Sequence, residues 1–121
     1  MIIKRFEDIE SWKEARGLVK DIYGVFHTCK DYGFRDQIQR AAISIMSNIA
    51  DGFDRGTNKE FIQYLVIARG SVSEVKSLSY AALDIGYTTP EQFTRMIDRC
   101  TALSGLINGF IRYLKTSTRK K

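Results

Sequence analysis

The sequence predicts an all-α protein: an antiparallel, up-down-up-down four-helix bundle over residues 1–115, followed by a basic C-terminal tail over 116–121. Three observations predict it. Apolar residues recur three and four apart through four long stretches, and no stretch shows sustained period-two alternation. Glycine and proline punctuate the joins between those stretches. The joins are short, so consecutive helices must turn back and pack as antiparallel neighbours.

The first helix is expected from about Asp8 to His27. Ile9, Trp12, Val19, Ile22 and Phe26 follow helical spacing, with Lys13, Glu14, Lys20 and Asp21 on the other side. Lys30-Asp-Tyr-Gly33 breaks it. The second is expected from about Phe34 to Phe53, with Ile38, Ala42, Ile45 and Ile49 as its core stripe and Gly52 and Gly56 ending it. The third opens at Thr57-Asn-Lys-Glu60, a capping box in which the hydroxyl accepts from a free amide and the glutamate reaches back. It runs to Ile85 and stops at Gly86. Phe61, Leu65, Ala68, Val72, Val75, Ser79 and Ala82 alternate four and three apart along it, a heptad seam. Its small residues Ala68, Gly70, Ser71, Ser73, Ser77 and Ser79 suggest the close approach of another helix, although any one alone reads as merely tolerated. The fourth begins at Thr89-Pro90-Glu91-Gln92, with a cap, a proline in the first turn and a second capping box. Phe93, Ile97, Cys100, Ile107, Phe110 and Leu114 form its stripe.

At 121 residues the chain is one domain, long enough to bury a core without covalent staples. Cys29 and Cys100 have no companions, which fits neither a disulfide framework nor a zinc site and suggests reduced thiols in a cytoplasmic protein. The first residues turn charged at once, unlike a signal peptide. The uncharged run Ala41–Ala50 is about half of the roughly 20 residues a membrane span needs, so no membrane is expected. The net charge of +5 belongs to the end of the chain: residues 1–111 carry 14 Lys+Arg against 14 Asp+Glu, and the excess is Arg112, Lys115, Arg119, Lys120 and Lys121.

Helix two has more apolar surface than a bundle can bury. On a helical wheel its apolar arc spans roughly 200°, where a one-sided helix needs little more than about 100°. Ile43, Met46 and Ala50 fall on the surplus. Helix three has a matching excess, Ile67, Leu78 and Ile85 on one flank and Ile62, Val66 and Tyr80 on the other. The simplest cover is another copy of the chain, so a homo-oligomer is expected with Ile43, Met46, Ala50, Ile67 and Leu78 at its interface.

Four segments carry a family resemblance: Phe6-Glu-Asp-Ile-Glu-Ser-Trp-Lys-Glu-Ala-Arg16, Gln37-Ile-Gln-Arg-Ala-Ala-Ile-Ser-Ile45, Asn48-Ile-Ala-Asp-Gly52 and Glu60-Phe-Ile-Gln-Tyr-Leu65. Over roughly residues 4–114 the chain resembles the 23S rRNA intervening-sequence proteins, bacterial four-helix bundles, some encoded within insertions in 23S rRNA genes. That family is in turn similar to the accessory variability determinant of diversity-generating retroelements, a basic homopentamer that binds nucleic acid and reverse transcriptase. The resemblance implies a bundle, a pentamer and contact with RNA or DNA. Two departures stand out. Met46-Ser47 replace the family's Pro-Ala, with Asp51 for its glutamate, which removes the reason for a kink in helix two. Gln39 occupies one half of a common Arg-Arg pair, leaving Arg40 alone.

No constellation points to catalysis, a metal or a cofactor. His27 is the only histidine and has no ligand companions at metal spacing. Asp51-Gly-Phe-Asp-Arg-Gly56 lacks the alternating ligands of a calcium loop, and Gly52–Thr57 lacks the spacing and the lysine of a phosphate loop. Ser44 and Ser47 have no base, and Ser44 with Asn48 reads as a polar contact that fixes helix register. The expected nucleic-acid contacts are Arg40, Arg112, Lys115, Arg119, Lys120 and Lys121. Arg55, Lys59 and Arg69 could extend that surface, although acids accompany most of them. The reading is a non-enzymatic oligomer that contacts nucleic acid non-specifically as an accessory factor. The alternative is a structural hub for a protein partner.

Overall fold

A computed structural model describes residues 3–117. A 3-10 turn at Phe6–Asp8 leads into α1 (Glu10–Phe26), α2 (Tyr32–Phe53), α3 (Asn58–Ile85) and α4 (Pro90–Thr116), with no strand among the described residues. The cations Arg119, Lys120 and Lys121 lie outside the described residues.

Local chemistry sets the ends of the helices. α2 starts two residues earlier than its apolar spacing suggests, because Asp31 caps it, accepting from the Phe34 amide at 3.2 Å, and Gly33 falls inside the first turn. At α3 the capping box is half made. The Thr57 hydroxyl accepts from the Glu60 amide at 3.1 Å, but the glutamate takes a bond from that same hydroxyl at 3.2 Å instead of reaching the Thr57 amide. The box at α4 is complete, with Gln92 N to Thr89 Oγ1 at 3.1 Å and Thr89 N to Gln92 Oε1 at 3.0 Å. Gly86 ends α3 at φ 91°, a left-handed turn that costs glycine nothing, and the Tyr87 amide closes it on the Ala82 carbonyl at 2.8 Å.

The helices form a four-membered ring in which each touches its two neighbours and α1 closes against α4. Cross-links fix the directions. Asn58 at the start of α3 bonds carbonyls at the end of α4, while Arg69 meets Asn108 and Tyr80 meets Phe93. Likewise Ser44 meets Ser71 and Asp31 meets Tyr87 between α2 and the end of α3, and Asp21 of α1 meets Arg95 and Arg99 of α4. Partner numbers fall as residue numbers rise, so neighbours run antiparallel around the ring, up-down-up-down. α2 is one unbroken helix, as the absence of a proline requires.

All seven seam positions of α3 are buried, and so are Ile38, Ala42, Ile45 and Ile49 of α2. α4 differs from its sequence stripe. Met96, Leu103 and Ile111 join Cys100, Ile107 and Leu114 inside, while Phe93, Ile97 and Phe110 are half-buried. The two rings belong at the edges, where Phe93 stacks edge-on against Tyr80 and Phe110 against Phe61. In α1 the small residues Ser11 and Ala15 take the inner line with Leu18, and Trp12 moves to the margin against Phe6. Gly52 is no helix stop: it is buried in the last turn of α2, and a Cβ there would lie 2.7 Å from Tyr64 Cβ and 2.8 Å from Phe61 Cδ1. Gly70, read as a close-approach position, has open space instead.

Candidate nucleic-acid and subunit interface

The polar pair on α2 is structural. The Ser44 and Ser71 hydroxyls are bonded at 2.9 Å, and Asn48 Nδ2 donates to the Ser44 carbonyl at 2.8 Å and to its hydroxyl at 3.0 Å. This network turns the Ser44–Asn48 flank of α2 toward α3. Helical geometry then places Ile43, Met46 and Ala50 on the opposite flank, toward α1. Ile43 is exposed, and Met46 and Ala50 are half-buried. On α1, Asp21 and Gly17 face α4, which leaves Trp12, Val19 and Tyr23 toward α2. Trp12, Val19, Tyr23, Ile43, Met46 and Ala50 therefore make one apolar strip along the α1–α2 ridge.

Ile67 and Leu78 sit elsewhere. They share the α2-facing flank of α3 with Ile85; Ile67 and Ile85 are 52% and 57% exposed, and Leu78 is half-buried against the core. The five expected interface residues thus occupy two surfaces. The outward polar line of α2, with Arg40, Ser47 and Asp51, separates them.

The cations also divide. Arg112 and Lys115 are exposed on the last turns of α4, where no acid follows Asp98. Arg69 on α3 bonds Asn108 through Nη1 at 2.8 Å, which brings it to the α3–α4 seam. Lys76, two turns on, acts electrostatically on the Cys100 thiol of α4 and so belongs to the same seam. Lys59 is exposed at the start of α3. By the register of Arg69 with Asn108, the order along the seam is Lys76, Arg69, Arg112, Lys115, Lys59, spread over about 25 Å. Glu60 and Glu74 project from the other flank of α3, by helical phase. Arg40 is not part of this strip. It lies on α2, level with Val75 by the Ser44–Ser71 register, about 15 Å along the bundle from the level of Arg112.

Asn58 fixes where the strip ends. Its Nδ2 donates to the Leu114 carbonyl at 3.2 Å and the Ser117 carbonyl at 3.0 Å, satisfying α4 at its C-terminus. Sequence reasoning missed Asn58 and Lys76. The acid-free run after Asp98 was visible, but assigning Lys76 to the α4 side needed the helix register.

The titrating groups offer little chemistry. Burial pushes the Cys100 thiol up to about 11, against the opposing pull of Lys76, so it is not a thiolate nucleophile at neutral pH. His27 Nδ1 lies 2.9 Å from the Gly24 carbonyl and acts as a helix-end group. Among the described residues no cluster of three His, Cys, Asp or Glu side chains could hold a metal, and no helix is long and apolar enough to cross a membrane.

The fold has a solved counterpart. A crystal structure of a protein with unknown function from the S23 ribosomal protein family of Bacteroides thetaiotaomicron superposes with a TM-score of 0.79 at 22% identity, covering 84% of this chain and 98% of that one. At that identity the likeness shows the shared four-helix fold. No curated protein matches. The sequence pattern of the 23S rRNA-intervening sequence proteins matches residues 7–109, most of the bundle, and the chain belongs to that family.

Proposed function

We propose that the protein is a non-enzymatic, cytoplasmic homo-oligomer that holds the phosphate backbone of RNA or DNA along its α3–α4 seam. The observation that carries this reading is the acid-free strip Lys59, Arg69, Lys76, Arg112 and Lys115, five cations on one face of a body whose other described charges are 11 Lys+Arg against 14 Asp+Glu. Flexible cations spaced along a ridge suit a repeating phosphate chain. The tail cations Arg119, Lys120 and Lys121 follow directly from the end of this strip in sequence.

The two apolar surfaces support the oligomer. A two-fold dimer needs one self-complementary patch, whereas a ring joins two different patches head to tail. The α1–α2 ridge strip and the Ile67–Leu78–Ile85 flank are such a pair, on either side of α2. A pentamer is the ring proposed, the subunit number that the family resemblance implies.

Nucleic-acid retention measured against salt tests the reading. Five phosphate contacts per chain predict a slope of log affinity on log salt of about −4 to −5 on duplex DNA, and Arg112→Gln with Lys115→Gln should reduce it by about 2. An unchanged slope rejects the strip. Light scattering of Ile43→Glu and Ile67→Glu tests the ring: each should yield smaller species, and a monomeric parent protein rejects it.

A further inference from the structure

The start of α1 and the last turns of α4 enclose a half-open cavity of about 330 Å³. Its walls are apolar: Ile3 and Ile9 on one side, Leu106, Phe110 and Tyr113 on the other. Ser11 also lines it, is 2% exposed, and its hydroxyl has no hydrogen-bond partner. A buried hydroxyl left unpaired is costly, and the wall of an apolar cavity is an odd place to keep one. Donors are in surplus here too. The first amides of any helix lack intrahelical acceptors, and Ile9 at the cap of α1 supplies no side-chain bond.

We propose that this cavity binds a small uncharged molecule with an aromatic or aliphatic body and a single oxygen-bearing group, a phenol, alcohol or amide. The body fills the apolar walls and the oxygen pairs with the Ser11 hydroxyl. Charge decides against an anion. Asp8 and Glu10 are among the residues bordering the same cavity, and their carboxylates are paired with Arg5 and Lys13, at 3.8 Å and 3.3 Å. A ligand carboxylate there would meet two acids whose own cations are already engaged, and its desolvation on the apolar walls would go uncompensated. Gly109 keeps the α4 wall open. A Cβ there would find no heavy atom nearer than Arg112 Nη2 at 3.7 Å, so a larger side chain can enter the cavity without disturbing the helix.

Amide-resolved NMR titration of the full chain with 4-propylphenol, propylbenzene and 4-propylbenzoate tests this. Saturable shifts at Ile9, Ser11, Leu106 and Gly109 are expected with the phenol, weaker ones with propylbenzene and the weakest with the benzoate. Ser11→Ala should weaken the phenol roughly 3- to 10-fold while leaving propylbenzene unchanged, and should melt no lower than the parent because it removes an orphaned hydroxyl. Gly109→Leu should abolish binding of both. The inference is overturned if the phenol gives no saturable shifts at these residues, if Ser11→Ala binds it as tightly as the parent, or if the benzoate binds as well.

Discussion

The α2–α3 and α1–α4 junctions do the same job with opposite materials. Between α2 and α3 the contact is small and neutral: Gly52 lies under Phe61 and Tyr64, and Ser44, Asn48 and Ser71 share one hydrogen-bonded network. Between α1 and α4 the contact is ionic. Asp21 takes Arg95 through Nε at 3.1 Å and Nη2 at 3.2 Å, and Arg99 through Nε at 2.9 Å, with Arg99 laid over Gly17. The ionic junction leaves loose ends. Arg99 Nη1 and Ser11 Oγ are both buried between these helices without partners, and the cavity opens at Ser11, more than one helical turn from Arg99. Close packing of backbone tolerates no slack, whereas long charged side chains can shift, and the difference locates stiffness on one side of the ring and adaptability on the other.

Substituting the two glycines is the sharpest way to break this comparison. Gly52→Val should destabilise by about 3 kcal/mol, because its Cβ meets the Cβ of Tyr64 and the ring of Phe61, neither of which can retreat without moving α3. At about 4 °C per kcal/mol this is a fall of roughly 12 °C in thermal denaturation. A loss below about 1 kcal/mol would mean that the α2–α3 contact is softer than drawn. A smaller loss, about 1–2 kcal/mol, is expected from Asn58→Ala, which strips the Leu114 and Ser117 carbonyls of their donor. Hydrogen exchange should then quicken in the last turn of α4 and nowhere in α2.

Gly17→Ala should fall within about 1 kcal/mol of zero. The new methyl collides only with the mobile end of the Arg99 guanidinium, and alanine is the better helix former by about 1 kcal/mol. Gly105→Ala, in open space on α4, calibrates that propensity gain. If Gly17→Ala proves as damaging as Gly52→Val, the ionic junction is as rigid as the neutral one and the contrast fails.

Legibility followed the same divide. The seam of α3 and the stripe of α2 could be read residue by residue, because period and side-chain size agree where helices pack on one another through aliphatic residues. α1 and α4 were read correctly as helices but rotated. Trp12, Phe93 and Phe110 outweigh their neighbours in hydrophobicity, yet rings of that size fit at the rim, and Ser11, Ala15 and Met96 line the interior. Gly52 carried a misleading signal, since a glycine near a helix end reads as a stop and here serves packing. The candidate sites were legible only in pieces. Arg112 and Lys115 stood out by charge, but their union with Arg69 and Lys76, and the division of Ile43 from Ile67, depend on which flank of each helix meets which neighbour. A single chain's periodicity does not encode that.

The smallest expected effect concerns the end of the bundle where α2 starts, and it tests whether a neutral junction can still carry a titrating latch. Asp31 accepts from the Tyr87 hydroxyl at 2.6 Å through Oδ2 while Oδ1 caps α2, tying the helix start to the α3–α4 turn. The Tyr87 hydroxyl first, and the Phe34 amide second, hold the Asp31 carboxyl below its ordinary value; the same bond holds the Tyr87 phenol above its own. A carboxylate depressed on folding contributes stability that is fully present above its unfolded value, near 3.9, and is lost as pH falls through the lower folded value. Tyr87→Phe removes the larger of the two causes. The Asp31 carboxyl should therefore titrate at higher pH by carbon-detected NMR, and the stability lost, smaller than in the other substitutions, should be fully present at pH 7 and vanish as pH falls through the parent's Asp31 titration. If the Asp31 titration is the same in both proteins, the latch contributes nothing and the cap at Phe34 acts alone.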